Sequence, residues 1–338
     1  MVRIFSVLAV ALLVGCSAMS PKSAVVTETF MVPSLDPGIT LHVRNKHLAG
    51  DQYAPERIVL FVHGATFPSE TMFDIDLPGG SWMDLAAKRG FDAYLVDIRG
   101  YGRSTRPAAM AQPPEANPPF GGADDAVRDI SAVVDFIQKR RSVSRISLVG
   151  WSMGTTFMAK YASLNPAKVE KLVLYAPVWH EPALKAPPYS GAYRTGTRQA
   201  IRGFQAAGIP KDRVEQISPA EWYEKWWQAN LATDPEGAAR NPPVVRAPNG
   251  VMRDLNESWA KGTPTYDASA IRAPTLLVMG EWDVITPPEQ GLALFKRLTN
   301  AKERRVTVLS EGSHCIGIEK NRLHLINEVQ SFLEEPGG

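Results

Sequence analysis

The sequence predicts an α/β fold, in which a mostly parallel sheet is flanked by helices and interrupted by a helical insertion. Short apolar runs without alternation are typical of strands covered on both faces, and five recur: RIVLFV, FDAYLVD, RISLVG, KLVLYA and TLLVMG. Helical periods lie between several of them, and the clearest places apolar residues at Val127, Ile130, Val134 and Ile137. Strands that alternate with helices pair in parallel through right-handed crossovers, and such sheets bind ligands at the carboxyl ends of their strands.

The chain before the first of these runs predicts two features. AVVTETFMV and GITLHVR, separated by PSLDPG, indicate an antiparallel hairpin at the start of the folded region. MVRIFSVLAVALLVGCS combines one basic residue, an apolar run that is short for a bilayer, and small residues before Cys16, which is typical of an export signal. We therefore assign residues 1–16 to a signal with its cysteine and 17–23 to a tether.

LVGC at the end of this signal resembles the lipobox of bacterial lipoproteins. The resemblance implies that the signal is cut before Cys16, that Cys16 is acylated and anchors the protein to a membrane, and that Ser17 directs it to the outer membrane, facing the periplasm. An ordinary secretory signal with a chance cysteine is the alternative.

The insertion divides the remaining chain into a core at 24–177, a cap at 178–268 and the rest of the core at 269–338. Apolar strand-like runs vanish in the cap, and SPAEWYEKWWQANL predicts a helix capped by Ser218 with Glu221 completing a capping box. The cap holds five of the eight tryptophans, and we expect some of them to face a pocket: Trp179, Trp222, Trp226, Trp227 and Trp259.

Composition narrows the range of partners. Hydrophobic residues make up 44% of the 338 residues and charged residues 21%, which is enough apolar material for a sizeable core. A net charge of +2 without a basic stripe argues against nucleic acid as the main partner and for a small-molecule ligand. No group of histidine, cysteine and carboxylate residues has metal-ligand spacing. The sequence gives no basis for an oligomeric state.

GWSMG predicts a nucleophile at Ser152. RISLVG reads as the preceding strand and MGTTFMAKYASL as the following helix, and glycines on both sides let neighbouring backbone approach this sharp turn. Because a serine hydroxyl is hardly ionised at neutral pH, it needs a base. The order expected along the chain is serine, carboxylate, histidine.

The base and its partner are predicted where two later strands end. TLLVMGEWDVITPP supplies Asp283, and VTVLSEGSHC supplies His314. His314 would accept the proton of Ser152, and Asp283 would fix the tautomer of His314. Glu281 is an alternative acid, which we disfavour because DVITPP has the character of a loop leading into a helix. Cys315 lacks a separate histidine and is expected to be structural.

An oxyanion requires two preorganised donors, commonly backbone N–H groups. Met153 follows the nucleophile and supplies one. LFVHGATF follows the third predicted strand and supplies the other at Ala65, with Thr66 as a neighbour and possible hydroxyl donor. His63 is expected to brace this loop rather than to react.

Five motifs, HGATF, DIRGYGRS, GWSMG, GEWD and GSH, occur in this order. In that order they resemble the α/β-hydrolase superfamily, from about residue 24 to residue 335 apart from the cap. The resemblance implies an eight-stranded, mostly parallel sheet, a helical cap over the site and no cofactor. The turn GWSMG is the nucleophile elbow of this superfamily, and a serine at this elbow argues against haloalkane dehalogenases and epoxide hydrolases, which carry an aspartate there.

These residues favour a serine hydrolase that cleaves small-molecule carboxylic esters through an acyl-enzyme. Trp151 and Trp282 flank the nucleophile and the acid, Trp179 opens the cap, and together with Thr66 they are predicted to contact an apolar acyl or aryl group. Lactonase, thioesterase, amidase and carbon–carbon hydrolase activities use the same apparatus and stay open. A non-catalytic envelope lipoprotein and cofactor-free perhydrolase chemistry are the further alternatives.

Overall fold

The structure, a computed structural model, describes residues 24–50, 53–179 and 188–336. The predicted signal, Cys16, the tether and part of the predicted cap lie outside the described residues. Within these ranges the chain forms ten strands: β1 (Val25–Pro33), β2 (Thr40–Leu48), β3 (Ile58–Val62), β4 (Asp92–Val96), β5 (Ile146–Trp151), β6 (Val169–Tyr175), β7 (Tyr193–Thr197), β8 (Val244–Pro248), β9 (Thr275–Gly280) and β10 (Arg304–Leu309).

Eight of the strands form one sheet in the order β1-β2-β4-β3-β5-β6-β9-β10. The predicted hairpin, β1 and β2, is antiparallel, β2 pairs antiparallel with β4, and the strands from β4 onward pair in parallel. The five apolar runs of the sequence are the central strands β3, β4, β5, β6 and β9. The predicted fold class is therefore confirmed.

Eleven α-helices lie in the described ranges: α1 (Ser69–Phe73), α2 (Trp82–Lys88), α3 (Ala123–Arg141), α4 (Met153–Leu164), α5 (Arg198–Gln205), α6 (Val214–Ile217), α7 (Ala220–Ala232), α8 (Pro235–Ala238), α9 (Gly250–Glu257), α10 (Pro288–Arg297) and α11 (Arg322–Glu334). None of them has the length and apolar character that crossing a bilayer requires.

The helices cover both faces of the large sheet, because alternate side chains of a strand point to opposite faces. In β3, Leu60 belongs to the hydrophobic layer that includes α3, α4 and α10, whereas Phe61 belongs to the layer that includes α2 and α11. Every residue of β3 is buried. This double burial explains why the central strands read as unbroken apolar runs.

The cap is inserted between β6 and β9 and contains the helices α5 to α9. It also contains a two-stranded antiparallel sheet of β7 and β8, so the expectation that strands are absent from this region was wrong. The sequences YRTGT and VVRAP are short, and helices separate them in the chain. Neither apolar alternation nor a turn signal marks such a pair, because the pairing is long-range.

The predicted capping box of α7 was also wrong. The helix begins at Ala220, and the hydroxyl of Ser218 makes no cap. This hydroxyl instead accepts a hydrogen bond from Arg202 Nη1 at 2.8 Å, and the carboxylate of Glu215 accepts from the N–H of Ala220 at 3.1 Å. Arg202, on the neighbouring helix α5, therefore binds the hydroxyl oxygen that the local sequence pattern assigned to the backbone N–H groups of α7.

Candidate active site

The predicted nucleophile lies on a strained turn between β5 and α4. Ser152 has φ 54° and ψ −124°, a left-handed conformation that costs free energy in a residue other than glycine. A Cβ on Gly150 would lie 2.4 Å from the carbonyl oxygen of Gly154, and a Cβ on Gly154 would lie 2.4 Å from that of His63. Both glycines are therefore required because backbone segments touch at this turn.

The structure brings together the three side chains predicted to form the triad. Ser152 Oγ lies 2.9 Å from His314 Nε2, and His314 Nδ1 lies 2.9 Å from Asp283 Oδ2. His314 is fully buried, whereas Ser152 retains 8% of its surface exposed. The three residues follow β5, β9 and β10. They meet at the carboxyl edge of the sheet, as expected for residues that follow parallel strands.

Asp283 is held by its own loop. One carboxylate oxygen accepts hydrogen bonds from the N–H groups of Ile285 and Thr286 at 2.9 and 2.8 Å, and the other accepts from Thr286 Oγ1 at 2.8 Å. Glu281, the alternative acid, is exposed and accepts from the N–H of Glu311 at 3.0 Å. The geometry therefore joins Asp283, and not Glu281, to the histidine. The role of Thr286 was not predicted.

The backbone of His314 is held by the side chains of two strand-end residues, one on β5 and one on β6. Its carbonyl oxygen accepts hydrogen bonds from Trp151 Nε1 at 3.0 Å and from the hydroxyl of Tyr175 at 2.8 Å. Trp151 is only 1% exposed, and its ring stacks on that of Tyr175. The structure thus places Trp151, predicted to contact substrate, as a buried support of the histidine loop, because the strand that ends in the nucleophile turns this side chain into the core.

A buried carboxyl group fixes the same loop from its other side. Glu319 accepts hydrogen bonds from the hydroxyl and the N–H of Ser313, and Ser313 Oγ accepts from the N–H of Cys315 at 3.2 Å. Burial raises the pKa of Glu319 to about 7. Burial also raises the pKa of the Cys315 thiol well above its usual range, so this sulfur stays protonated and is no nucleophile.

The N–H of Ala65, a predicted oxyanion donor, shares a peptide with the carbonyl of Gly64, and His63 holds that carbonyl by a hydrogen bond. His63 Nε2 accepts from the N–H of Ile98 at 3.1 Å, so Nδ1 carries the proton and donates to the carbonyl of Gly64 at 2.7 Å. Burial lowers the pKa of His63, which favours this neutral form. Because N–H and C=O point in opposite directions across a trans peptide, the N–H of Ala65 is turned away from His63.

The same arrangement recurs at Met153. The carbonyl of Ser152, which shares a peptide with the N–H of Met153, accepts from the N–H of Thr155 at 2.8 Å and from its hydroxyl at 2.5 Å. The two loops are adjacent, since a Cβ on Gly64 would lie 3.0 Å from the Cβ of Ser152. Both predicted donors therefore come from peptides whose opposite ends are fixed, as a preorganised oxyanion site requires.

The other predicted substrate-binding residues differ in their position. Thr66 is partly buried beside Ala65, and its hydroxyl accepts from Arg194 of the cap at 3.0 Å. Trp282 is partly buried next to Asp283, with the guanidinium of Arg213 5.8 Å from its ring centroid.

Trp179 is not brought to the triad. It packs edge-on against Trp259 and Tyr266 and lines a cavity of about 430 Å³ that no triad residue lines. This position lends no support to the predicted contact of Trp179 with substrate, because its ring turns into an aromatic cluster of the cap base.

An aromatic contact that was not predicted lies over the histidine. The ring of Phe204, from α5 of the cap, meets that of His314 edge-on with centroids 5.5 Å apart. The ring centroid of Phe67 lies 5.9 Å from that of Phe204 and 4.4 Å from that of Trp226. Phe67 is the last residue of the HGATF motif, a signal that could have identified it, whereas nothing local marks Phe204. The cap and the core thus build one aromatic wall beside the nucleophile.

A serine made nucleophilic by a buried histidine–aspartate pair, beside two fixed backbone donors and beneath a cap, suits hydrolysis by covalent catalysis. The fold and this site together define a serine hydrolase of the α/β-hydrolase superfamily. Sequence comparison agrees: the pattern of the family described as serine aminopeptidase, S33, matches residues 53–321. The chain belongs to this family.

Two relatives match about two thirds of this chain. The proline iminopeptidase of Neisseria gonorrhoeae is 24% identical over 249 residues, which span 67% of this chain and 74% of the relative. The AB hydrolase superfamily protein YisY of Bacillus subtilis is 27% identical over 240 residues, 68% of this chain and 76% of the relative.

Two solved structures share the fold at low identity. A thermophilic esterase from Thermogutta terrifontis has a TM-score of 0.57 and 18% identity, covering 90% of this chain and 98% of its own. A serine hydrolase involved in carbazole degradation has a TM-score of 0.62 and 18% identity, covering 92% and 99%.

Proposed function

We propose that the protein hydrolyses small carboxylic esters through an acyl-enzyme on Ser152. The observation that carries the proposal is the unbroken hydrogen-bonded chain from Ser152 Oγ through His314 to Asp283, with both links at 2.9 Å. His314 Nε2 takes the hydroxyl proton as Oγ attacks the carbonyl carbon, and returns it to the leaving alcohol. Water then attacks the acyl-enzyme by the same route, releasing the acid and restoring the serine.

The wall beside the nucleophile favours an apolar acyl or aryl group. Phe67 is in ring contact with both Phe204 and Trp226, and Phe204 touches the imidazole. Pockets that are mostly apolar, with few polar groups at the reacting centre, are typical of small-molecule sites. We propose short acyl chains as the preferred substrates, which the chain-length series below tests.

Removal of an amino-terminal residue from a peptide is the second candidate, and it is favoured by the family and by relatives named proline iminopeptidase. An aminopeptidase must offer a partner to the substrate ammonium, because a buried charge is costly without one. In the described part of the cap the buried carboxylates are occupied. Asp234 is paired with Arg246 at 2.6 Å, and Asp254 accepts from the N–H of Ala123 at 2.6 Å. This occupation favours the ester.

The test combines labelling with a substrate panel. The purified protein and its Ser152→Ala variant are treated with a fluorophosphonate, then assayed on p-nitrophenyl esters from acetate to octanoate and on proline p-nitroanilide. We expect labelling and ester hydrolysis that both disappear in S152A, with the highest kcat/KM on short esters. Full ester hydrolysis by S152A would overturn the proposal, and a higher kcat/KM on the anilide would replace it by the peptidase.

The open alternatives are separated by the same protein. Lactones, acyl thioesters, simple amides and vinylogous diketones are offered at equal concentration, and peroxide-dependent bromination tests perhydrolase chemistry. We expect esters to exceed each of these. Ligand binding that survives in S152A, together with an absence of labelling in the parent protein, would support the non-catalytic lipoprotein instead.

We further propose that Cys16 is acylated and anchors the protein to the outer membrane, facing the periplasm. The support is the LVGC sequence that ends the apolar run. Expression of the full chain and of Cys16→Ser in a Gram-negative host with an alkyne-bearing fatty acid tests it. Label on the parent chain alone, in the outer-membrane fraction, is expected. Equal label on C16S would overturn the assignment.

A further inference from the structure

Arg194, on the cap strand β7, contacts the core loop at residues 63–67, which we call the oxyanion loop because it holds the predicted donor Ala65. Its Nη2 donates to the carbonyl oxygen of Ala65 and, at 3.0 Å, to the hydroxyl of Thr66. Its Nη1 donates to the carbonyl of Pro248 at 2.5 Å, on the partner strand β8. One guanidinium therefore ties the two-stranded sheet of the cap to the loop that holds a predicted oxyanion donor.

This cation is unusual because it is partly buried among neutral acceptors. Burial lowers the pKa of Arg194, although an arginine stays protonated in any protein. Among the described residues, no carboxylate lies within ion-pair distance of its guanidinium. Arg246, its neighbour in the same small sheet, lies 2.6 Å from Asp234 and is neutralised by it. Within the described ranges the Arg194 guanidinium donates to neutral acceptors, and two of them, the carbonyl of Ala65 and the hydroxyl of Thr66, lie beside the predicted oxyanion donor.

The contact completes the fixation of Ala65. The peptide before this residue is held by His63 through the carbonyl of Gly64. The peptide after it is held through the carbonyl of Ala65, which accepts from Tyr101 at 2.6 Å and from Arg194. Tyr101 belongs to the core, so Arg194 supplies the hydrogen bond that the cap makes to the carbonyl of Ala65.

We propose that Arg194 is a positioning residue, through which the geometry of the oxyanion site depends on the contact between the cap and the core. With the guanidinium in place, the two peptides that flank Ala65 are fixed, and a positive charge lies near the point where negative charge develops. Donors that need no reorganisation, in a region from which water is excluded, are the ones that lower a transition state. The inference rests on the proposed ester hydrolysis.

The test compares kcat with KM in four proteins: the parent, Arg194→Met, Arg194→Lys and Arg240→Met. Arg240 is an exposed cap arginine whose guanidinium donates to the hydroxyl of Tyr193 at 3.1 Å, and it serves as the matched control. Active sites are counted by the end-point of fluorophosphonate labelling, so that kcat is given per competent site. Thermal unfolding reports on the fold of each variant.

For R194M we expect kcat to fall between about tenfold and about a hundredfold with little change in KM, because transition-state contacts are lost and ground-state contacts are kept. R194K should recover part of this loss and R240M should match the parent. An unchanged kcat in R194M, or a rise in KM alone, would overturn the inference. If R194M does not fold, R194K decides, since one ammonium cannot replace a guanidinium fork and must still lose at least about threefold in kcat. A parent protein without Ser152-dependent turnover would instead refute the proposed function, and the inference with it.

Discussion

The edge of the large sheet and the cap above it contribute to the site in different ways. At the sheet edge the triad residues come soon after the ends of strands, and neighbours a few residues away hold two of them: Thr286 binds the carboxylate of Asp283, and Thr155 binds the carbonyl of Ser152. The cap contributes Phe204 and Arg194, whose contacts in the core, His314 and Ala65, lie more than a hundred residues away in the chain. The positions of the triad residues can thus be read from local sequence, whereas the shape of the pocket depends on long-range packing.

The largest expected effect breaks the chemistry at the sheet edge. Asp283→Asn should reduce kcat by about 10³-fold to 10⁴-fold, because an amide holds the wrong tautomer of His314. The measurement is steady-state hydrolysis of p-nitrophenyl acetate. Glu281→Gln is the matched control and should keep activity, since its carboxylate accepts a hydrogen bond from the backbone of Glu311 and none from the histidine. Equal losses in the two variants would mean that the acid has been misassigned.

A pair of glycines sharpens the contrast between core and cap. Gly154→Ala should lower the free energy of unfolding by about 3 kcal/mol or more, because the new methyl group would meet backbone carbonyls that cannot move. Gly203 is exposed in α5 of the cap, and a methyl group added there would meet no atom within 4 Å. Gly203→Ala should therefore raise the free energy of unfolding by about 0.5–1 kcal/mol. Urea denaturation measures both, and similar effects in the two variants would contradict the close approach at the elbow.

The next effect is pH-dependent and lies in the histidine loop. Glu319 has a pKa of about 7 in the folded protein against 4.5 as its ordinary value. Between these values the folded state keeps a proton that the unfolded state has released, so this group's contribution to stability falls as pH rises through that window and is level above it. The change amounts to about 3 kcal/mol in order of magnitude.

Glu319→Gln should remove this contribution. The difference in free energy of unfolding between variant and parent is expected to shift in favour of the variant from pH 4.5 to pH 7, as followed by urea denaturation at several pH values. Glu221→Gln, at an exposed cap position, is the control and should show no such trend. A pH-independent difference for E319Q would show that the carboxyl is not the group that titrates.

The same contrast explains how much the sequence could predict. The central strands, the turn that carries Ser152 and the positions of Asp283 and His314 follow from apolar runs and the residues that end them, whereas the order of the strands in the sheet does not. Trp151 was misplaced in function, because a strand pattern gives alternation but not the layer that a terminal side chain enters. Ser218 failed as a cap because Arg202 competes for its oxygen. Strands β7 and β8 carried no local signal, since each is stabilised by a partner distant in the chain.

The smallest expected effect tests whether the cap sets the acyl preference. Phe204→Ala should raise the ratio of kcat/KM for p-nitrophenyl octanoate to that for acetate by roughly tenfold, because removing the ring over His314 opens space for methylene groups. Trp179→Phe is the control, since Trp179 lines a cavity apart from the triad, and it should leave the ratio unchanged. A change in the ratio for W179F without one for F204A would reverse the division of the cap's aromatic residues into pocket and core. The preference would then be set by the base of the cap, and the ring contact with the imidazole would serve only to hold the histidine in place.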